Sequence, residues 1–321
     1  MKRILSLLLT LILILGAVLT IKFFADSHTA EKTVFAMNTV IKITASGQNT
    51  AAAVNDAIEE IYRIDALMSA HNPTSEIYAL NTNEKTAVSK EVFDLIKTAK
   101  EIWQKTDGAF DITLKPVSDL WNIQSENPAV PEKAQIESSL EKTGFENVIL
   151  EEDTFTVSFE KPGMALDLGA IAKGYAADRA VLMLKKHGIK SALVDLGGNL
   201  YAIGKNGCKR WKIGLQTPWE NRGEYFETVE AENTSVVTSG AYERYFEKDG
   251  KIYHHILNPK TGYPAEGDTA SVSVICESST LADALSTAVF VSGEVGAKKA
   301  KSAFENVEII IMTADGTVKR Y

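Results

Sequence analysis

The amino-acid sequence of 321 residues predicts an α+β fold with two interleaved lobes, in which mixed sheets are flanked by helices. Helical and strand patterns follow one another without the strict alternation that a doubly wound parallel sheet requires. No internal repeat and no low-complexity linker divides the sequence, so we expect lobes that share chain segments. The composition, 45% hydrophobic and 24% charged, is typical of a folded protein and excludes disordered and collagen-like classes.

The first 25 residues differ from the rest of the chain. Lys2 and Arg3 precede an uncharged apolar run over residues 4–21. A positively charged start followed by an apolar run indicates an export signal, and this run is close to the ~18 residues that can span a bilayer. Because no clear small-x-small cleavage site follows, we expect residues 1–25 to remain as a membrane anchor. Residues 26–321 would then form one domain outside the cytoplasm; a cleaved signal and a secreted domain are the alternative.

The charge balance limits the possible partners. The chain has 34 basic and 42 acidic residues, and its net charge of −8 disfavours binding to nucleic acid. A phosphate ligand would therefore need local donors or a metal ion. The two cysteines, Cys208 and Cys276, exclude a disulfide-dense scaffold and an all-cysteine metal site. We interpret them as two buried thiols, with a single bridge between them as the alternative.

Hydrophobic spacing predicts one strand and three helices in the first half of the body. Alternation predicts the strand over residues 34–45. The next helix would bury Val54, Ile58, Ile61 and Met68. A polar stretch over residues 69–75 is too broken for regular structure, and Ser89 then caps the second helix. A short helix begins at Pro131 and ends at Gly144.

Strands predominate in the second half of the body, between helical regions. We predict a hairpin over residues 147–159, a short strand over 165–168 and a helix over 170–187. Two further helices cover residues 280–291 and 294–304. The other strands are predicted at residues 192–194, 211–215, 226–229, 253–257 and 270–275 and on both sides of Asp315-Gly316, with a tight turn at 248–251.

Four segments carry polar or glycine residues that a purely structural chain would not need. The first reads TDGAFDIT over residues 106–113 and places two carboxylates around the ring of Phe110. Taken alone, it is more simply explained as an ordinary Asp-Gly turn.

The second segment reads DLGAIAKGYAAD over residues 167–178 and joins a strand end, a glycine and a helix start. Free amides at a helix N-terminus, with Lys173 one turn further on, are suited to bind phosphate. The segment matches neither a Walker loop nor the dinucleotide-binding glycine pattern. A glycine that packs the strand against the helix is an equally good explanation.

The third segment reads YHHILNPKTGYP over residues 253–264 and contains two adjacent histidines. Because side chains alternate along a strand, His254 and His255 would face opposite sides and cannot both serve one site. A lone histidine is more often structural than catalytic, although residues 238–242 add further polar groups across the hairpin.

The fourth segment reads LADALSTA over residues 281–288 of a predicted helix. Asp283 and Thr287 are four residues apart and therefore lie on one face. Hard oxygen donors suit Mg²⁺, which takes few protein ligands and leaves the others to water and phosphate. The alternative is a Thr287 hydroxyl that bonds back to the Asp283 carbonyl.

Taken in order, these segments resemble the ApbE family, the FAD:protein FMN transferases. The resemblance extends from about residue 35 to the C-terminus. The matching stretches are AMNT at residues 36–39, DGAFDIT at 107–113, DLGAIAKGYAAD at 167–178, VDLGGN at 194–199, TSGAYERYF at 238–246, HHILNPKTGYP at 254–264 and LADALSTA at 281–288. Their common order makes the resemblance specific.

The resemblance implies a two-lobed body that holds FAD in the cleft between the lobes, with Mg²⁺ on the pyrophosphate. FMN would pass from FAD through a phosphoester bond to a Thr or Ser hydroxyl of another protein, and AMP would be released. By position, FAD would contact Met37, His71, Ala109, Phe110, Asp111, Asp167, Lys173 and Leu257. The metal would be held by Asp283, Thr287 and the carbonyl of Ala170, and His255 would be the base.

The family's acceptors imply a partner flavoprotein with a Gly-Ala-(Ser/Thr)-x-(Ser/Thr) motif, in an electron-transfer component at or outside the membrane. Attack by a hydroxyl on a pyrophosphate needs charge neutralisation and a proton acceptor, which the metal, Lys173 and His255 would supply. The apolar slot for the flavin ring would be formed by Phe110, Met37 and Leu257. Two alternatives remain, namely Mg²⁺-dependent hydrolysis of FAD to FMN and AMP, and an exported flavin-binding protein without catalysis.

Overall fold

The computed structural model describes residues 28–221 and 223–321. The predicted anchor over residues 1–25 therefore lies outside the described residues. Within the described ranges, none of the helices combines the length and the apolar character needed to span a bilayer.

The secondary structure consists of mostly short strands interspersed with helices. The strands are β1 (His28–Ala36), β2 (Thr39–Gly47), β3 (Lys85–Ala87), β4 (Val148–Glu151), β5 (Thr156–Phe159), β6 (Ser191–Asp195), β7 (Asn199–Ile203), β8 (Trp211–Gln216), β9 (Tyr225–Ala231), β10 (Thr234–Gly240), β11 (Tyr245–Lys248), β12 (Lys251–His254), β13 (Thr269–Cys276), β14 (Glu308–Thr313) and β15 (Val318–Arg320). The helices are α1 (Thr50–Met68), α2 (Glu76–Asn83), α3 (Lys90–Lys105), α4 (Lys115–Trp121), α5 (Lys133–Leu140), α6 (Ala172–Lys186) and α7 (Ser279–Ala303).

An antiparallel sheet with the strand order β1-β2-β6-β7-β10-β13-β14-β15 forms the centre of the fold. Side chains alternate between its two faces, as period-two geometry requires. Tyr201 and Val237 belong to the large core that contains α1, α6 and α7, whereas their neighbours Ala202 and Val236 face the hairpin β8–β9. Both faces of the sheet are therefore covered.

A smaller lobe surrounds the buried Trp121. Trp121 packs with Val117, Ile136 and Leu257, and its indole N–H donates to the carbonyl oxygen of Gly262 at 2.7 Å. The hairpin β11–β12 also contributes to this lobe, although it lies in the chain between two strands of the large sheet. The predicted α+β class and the interleaving of the lobes are confirmed.

Several local predictions are confirmed because their signals depend on near neighbours. The predicted inner face of α1 is buried, and the Ser89 hydroxyl caps α3 by accepting from the Val92 amide. The hairpin over residues 147–159 forms as β4–β5. The two helices predicted near the C-terminus are the two halves of α7, which is kinked at Gly293 (φ 60°).

The single strand predicted over residues 34–45 is wrong, since this stretch forms the hairpin β1–β2. Met37 and Asn38 make its turn with φ of 49° and 61°. Two successive positive φ angles are typical of a two-residue hairpin turn, which asparagine favours and methionine does not. The apolar alternation continues on both sides of the turn and hides it.

Two further strand predictions need correction. Residues 165–168 form no strand, because the Asn81 side chain exchanges two hydrogen bonds with the Leu166 backbone, at 2.7 and 2.9 Å, in place of a neighbouring strand. The strand predicted over residues 253–257 ends at His254, although the His255 amide still donates to the Arg244 carbonyl in register with the β11–β12 pair.

Polar and glycine residues account for several other differences, whereas α2, α4 and β3 were also not predicted. Strands β7 and β10 were not predicted, because two glycines precede β7 and Thr or Ser occupies four of the seven positions of β10. The helix predicted from Pro131 ends at Leu140, before a turn at Gly144 (φ 106°). Cys276 is buried as predicted, but Cys208 is exposed because it lies at the tip of a tight turn.

The contact between α6 and α7 requires glycine at position 174. A Cβ atom there would lie 2.2 Å from the Ser279 carbonyl oxygen, which belongs to the backbone of α7 and cannot rotate away. We expect Gly174→Ala to lower the free energy of unfolding by about 1–3 kcal/mol, the usual cost of overpacking, in urea denaturation. Alanine has a higher helix propensity than glycine. An unchanged or raised free energy of unfolding would therefore show that the space between α6 and α7 can accommodate a methyl group.

Candidate active site

The start of α6 and the second turn of α7 meet at Asp283. The Gly174 amide donates to Asp283 Oδ2 at 2.8 Å. Gly174 is the third residue of α6, so its amide is one of the first-turn donors that have no acceptor within the helix, and Asp283 satisfies it. The Ala170 carbonyl lies two residues before α6, and no hydrogen bond to it is recorded among the described residues. Asp283 Oδ1 lies 3.7 Å from Lys173 Nζ, and the Asp283 side chain is 5% exposed. A buried carboxylate and an open carbonyl therefore lie at the same helix start.

Thr287 adds a hydroxyl one turn further along α7. It is half-buried, and no hydrogen bond to its side chain is found among the described residues. The Asp283 carbonyl accepts instead from the Ser286 hydroxyl at 2.8 Å. The alternative in which Thr287 bonds back to Asp283 is therefore not observed, and the Thr287 hydroxyl remains available as a ligand.

Together these groups offer one carboxylate, one carbonyl and one hydroxyl oxygen. Such a set suits Mg²⁺, which binds few protein ligands and completes its octahedron with water and phosphate. In the parts of the chain that the structure describes, no cluster of three or more His, Cys, Asp or Glu side chains is suited to hold a metal. A metal at Asp283 would therefore depend on main-chain and hydroxyl oxygens as well.

His254 is a structural histidine. Its Nε2–H donates to the Ala265 carbonyl at 3.0 Å, and its Nδ1 accepts from the Ile256 amide at 3.3 Å. The ring also packs edge-on against Phe290 of α7 at 5.4 Å. Both ring nitrogens are thus engaged, and burial lowers the pKa of His254.

His255 differs because one ring nitrogen is free. A carbonyl oxygen can only accept, so Nδ1–H must donate to the Arg244 carbonyl, 3.2 Å away. No described residue bonds to Nε2, which therefore carries a lone pair that can accept a proton. Burial, together with the positive charges of Arg244 and Lys173, lowers the pKa of His255 to about 3, so the ring is neutral at pH 7.

The turn at Met37 lies beside the segment that holds His255. The Met37 amide donates to Asp65 Oδ2 at 2.9 Å, which fixes the turn to α1. Arg244 Nη2 contacts the Asn38 carbonyl at 3.4 Å. A Cβ atom on Gly197 would lie 1.9 Å from Thr39 Oγ1. The segments at residues 36–39, 194–199 and 238–246 therefore meet in space.

Asp111 and Asp167 connect the first two sequence segments. Asp111 accepts from the Thr113 amide and hydroxyl at 2.8 and 2.7 Å, and burial raises its pKa to about 6. The Asp167 amide donates to the Ile112 carbonyl at 2.8 Å, and its side chain accepts from the Gly169 amide. The loop before α6 is thereby tied to the turn that contains Ala109, which is half-buried.

Phe110 and Leu257, which the sequence predicts as walls of a flavin slot, are both buried. The Phe110 side chain is fully buried in the large core, and Leu257 is buried beside Trp121. An apolar residue in a protein core and one that lines an apolar slot have the same sequence signal, so the flavin contacts of Phe110 and Leu257 stay a prediction.

His71 is exposed and lies in the irregular stretch after α1. Its backbone amide donates to the Ser69 hydroxyl at 3.2 Å, and its ring makes no recorded hydrogen bond to another described residue. The FAD contact of His71 therefore stays a prediction.

The sequence did not reveal the residues that anchor α7. The Ser239 hydroxyl contacts the Ser286 hydroxyl at 2.7 Å, and the Ser279 hydroxyl donates to Asn199 Oδ1 at 2.7 Å. Ser239 and Asn199 lie in the quoted segments TSGAYERYF and VDLGGN. The available signal was a polar side chain at a buried strand position, which predicts a partner without naming it.

The sequence matches known proteins over most of its length. The model of the ApbE family matches residues 37–311. The FAD:protein FMN transferase of Treponema pallidum is 36% identical over 304 residues, which cover 88% of this chain and 84% of the relative. The FAD:protein FMN transferase of Klebsiella pneumoniae is 37% identical over 265 residues, which cover 82% of each chain.

Solved structures agree in fold. The crystal structure of the ApbE protein from Thermotoga maritima gives a TM-score of 0.84 at 36% identity, and the match covers 91% of this chain and 97% of that one. The flavin transferase ApbE from Vibrio cholerae gives a TM-score of 0.81 at 26% identity, with 92% and 97% covered.

The surroundings of His255 predict that its ring does not titrate between pH 7 and pH 5. NMR titration of the imidazole protons, assigned by comparison with His255→Gln, measures this directly. The unfolded chain takes up this proton near pH 6.5 and the folded chain only near pH 3, so this histidine lowers the free energy of unfolding as the pH falls between those values. A midpoint near 6.5 in the folded protein would contradict the assignment.

Proposed function

We propose that this chain, which belongs to the ApbE family, transfers the FMN moiety of FAD to a hydroxyl group of another protein and releases AMP. The observation that carries the proposal is the contact of the buried Asp283 carboxylate with the Gly174 amide at the start of α6, beside Lys173. In the reaction, the acceptor oxygen forms a bond to the phosphorus of the FMN half. The bond from that phosphorus to the bridging oxygen breaks, and AMP leaves with that oxygen.

Asp283, Thr287 and the carbonyl of Ala170 would hold Mg²⁺ in this proposal. The metal would neutralise negative charge on the pyrophosphate as it is attacked. Lys173 adds a second positive charge at the helix start, where free amides also favour an anion. In a chain with a net charge of −8, such a local concentration of positive groups is needed to hold FAD.

His255 would accept the proton of the attacking hydroxyl at Nε2. Its Nδ1–H bond to the Arg244 carbonyl fixes the tautomer that leaves Nε2 unprotonated. The positive charges of Arg244 and Lys173 lower the pKa of His255 in the free protein. A bound pyrophosphate would offset those charges, so the imidazole becomes a stronger base when the substrate is in place.

The remaining FAD contacts are proposed at Met37, His71, Ala109, Phe110, Asp111, Asp167 and Leu257. The acceptor would be a flavoprotein with a Gly-Ala-(Ser/Thr)-x-(Ser/Thr) motif, in an electron-transfer component at or outside the membrane. Residues 1–25 would anchor the chain with its catalytic domain outside the cytoplasm, or would be cleaved to release it. The positive start and the apolar run of that segment support this location.

Incubation of the purified protein with FAD, Mg²⁺ and an acceptor that carries the motif tests the function. We expect one AMP for each FMN attached to the acceptor, as measured by chromatography and intact mass. The mass of the enzyme itself should stay unchanged, because the stretches of its sequence that are nearest to the motif, at Gly240 and Gly108, have Tyr or Phe where the motif has Ser or Thr. AMP with free FMN would instead indicate hydrolysis, and no AMP would indicate a binding protein.

Asp283→Asn should reduce FMN transfer by about 10²–10³-fold, because it deletes the carboxylate charge and keeps the shape of the side chain. Raising Mg²⁺ or supplying Mn²⁺ should restore part of the activity, with an unchanged circular dichroism spectrum. Thr287→Val is the milder comparison, since water can replace a neutral ligand. Normal transfer by Asp283→Asn at low millimolar Mg²⁺ would place the metal elsewhere.

His255→Ala should reduce transfer by ~10²–10⁴-fold, the usual effect of losing a general base. FAD affinity, measured by the quenching of flavin fluorescence, should change little. His254→Ala serves as the control, because both of its ring nitrogens are used within the fold. A larger loss of activity in His254→Ala, at a temperature where both variants are folded, would show that the base is misassigned.

A further inference from the structure

The first turn of α7 receives a carboxylate from another helix. Asp178 of α6 accepts from the Ser279 amide at Oδ1 (2.9 Å) and from the Thr280 amide and hydroxyl at Oδ2 (2.9 and 2.7 Å). The Ser278 hydroxyl, which is the N-cap of α7 itself, donates to the same carboxylate at 3.3 Å. The N-terminus of α7 is therefore capped twice, once by its own serine and once by α6.

Asp178 and the glycine that contacts Asp283 share one face of α6. Asp178 and Gly174 are four residues apart, which places their contacts one above the other along the helix. Asp178 holds α7 at residues 279–280, and the Gly174 amide holds it at Asp283. Together with the bonds from α7 to Ser239 and Asn199, these two contacts hold the Asp283 carboxylate at the start of α6.

The negative charge of Asp178 also favours a cation at Asp283. The N-terminus of a helix carries roughly half a positive charge, and Asp283 lies in the second turn of α7. A cation at Asp283 would be repelled by that helix end unless an anion offset it. Asp178 is such an anion, and the amides and hydroxyl that it accepts from belong to Ser279 and Thr280, both of which are buried.

We propose that Asp178 is a positioning residue for the cation site, which sets the place of Asp283 and cancels the positive end of α7. The inference rests on the metal site of the proposed function, but not on the transfer of FMN. It can therefore be tested on the protein with a metal ion alone.

The experiment measures Mn²⁺ affinity by electron paramagnetic resonance in the absence of FAD. We expect Asp178→Asn to weaken Mn²⁺ binding by about 10–100-fold, the usual effect of removing a group that orients a metal ligand. Ser89→Ala is the matched control, since it removes a helix N-cap from α3 and none of the recorded hydrogen bonds of Ser89 goes to α6 or α7. It should lower thermal stability and leave Mn²⁺ affinity unchanged.

Asp283→Asn distinguishes failure of this inference from failure of the metal site. Wild-type affinity in Asp178→Asn with no binding in Asp283→Asn would overturn the positioning role alone. Wild-type affinity in both variants would overturn the metal site as well.

Should Asp178→Asn fail to fold, Thr280→Val removes one bond to Asp178 and should weaken Mn²⁺ binding by about two- to fivefold, the loss of a single hydrogen bond. Unchanged affinity there would overturn the role.

Discussion

Gly174 lets α6 approach α7 until its amide lies 2.8 Å from the Asp283 carboxylate. The same approach places the Ser279 carbonyl where a Cβ atom would be, so no larger residue allows it. The Gly174 amide lies in the first turn of α6, where an amide has no acceptor within the helix, so the Asp283 carboxylate satisfies it. One packing constraint therefore places the buried carboxylate at the start of α6, close to the loop that contains Ala170.

A buried carboxylate is costly unless opposite charge or hydrogen bonds compensate it. An ionised carboxylate has about four acceptor positions. In the described part of the chain, one hydrogen bond is recorded to the Asp283 carboxylate, and Lys173 Nζ lies 3.7 Å from Asp283 Oδ1. By contrast, Asp178 accepts four hydrogen bonds a short distance away. The recorded hydrogen bonds therefore satisfy the Asp178 carboxylate, whereas they leave acceptor positions on the Asp283 carboxylate for a further positively charged partner.

Hydrophobic periodicity correctly predicts the elements whose structure depends on residues that are near in the sequence. It fails for segments whose structure depends on residues that are far away in the sequence. The α+β class, α1, the Ser89 cap and the halves of α7 follow from near-neighbour spacing. The hairpin turn at Met37 breaks no hydrophobic pattern and was missed. Residues 165–168 are extended because Asn81, more than 80 positions earlier, supplies their hydrogen bonds. No local window contains that partner.

The different hydrogen bonding of His254 and His255 also depends on residues that are distant in the sequence. Strand alternation indicates that they face different ways, but not which one keeps a free nitrogen. That difference depends on Ala265 and Ile256 around His254, and on a single carbonyl, that of Arg244, beside His255. The carbonyl belongs to a segment that also contacts the Met37 turn. The state of the proposed base is therefore set by the closure of the fold around it, and two adjacent identical residues acquire different chemistry from their neighbours alone.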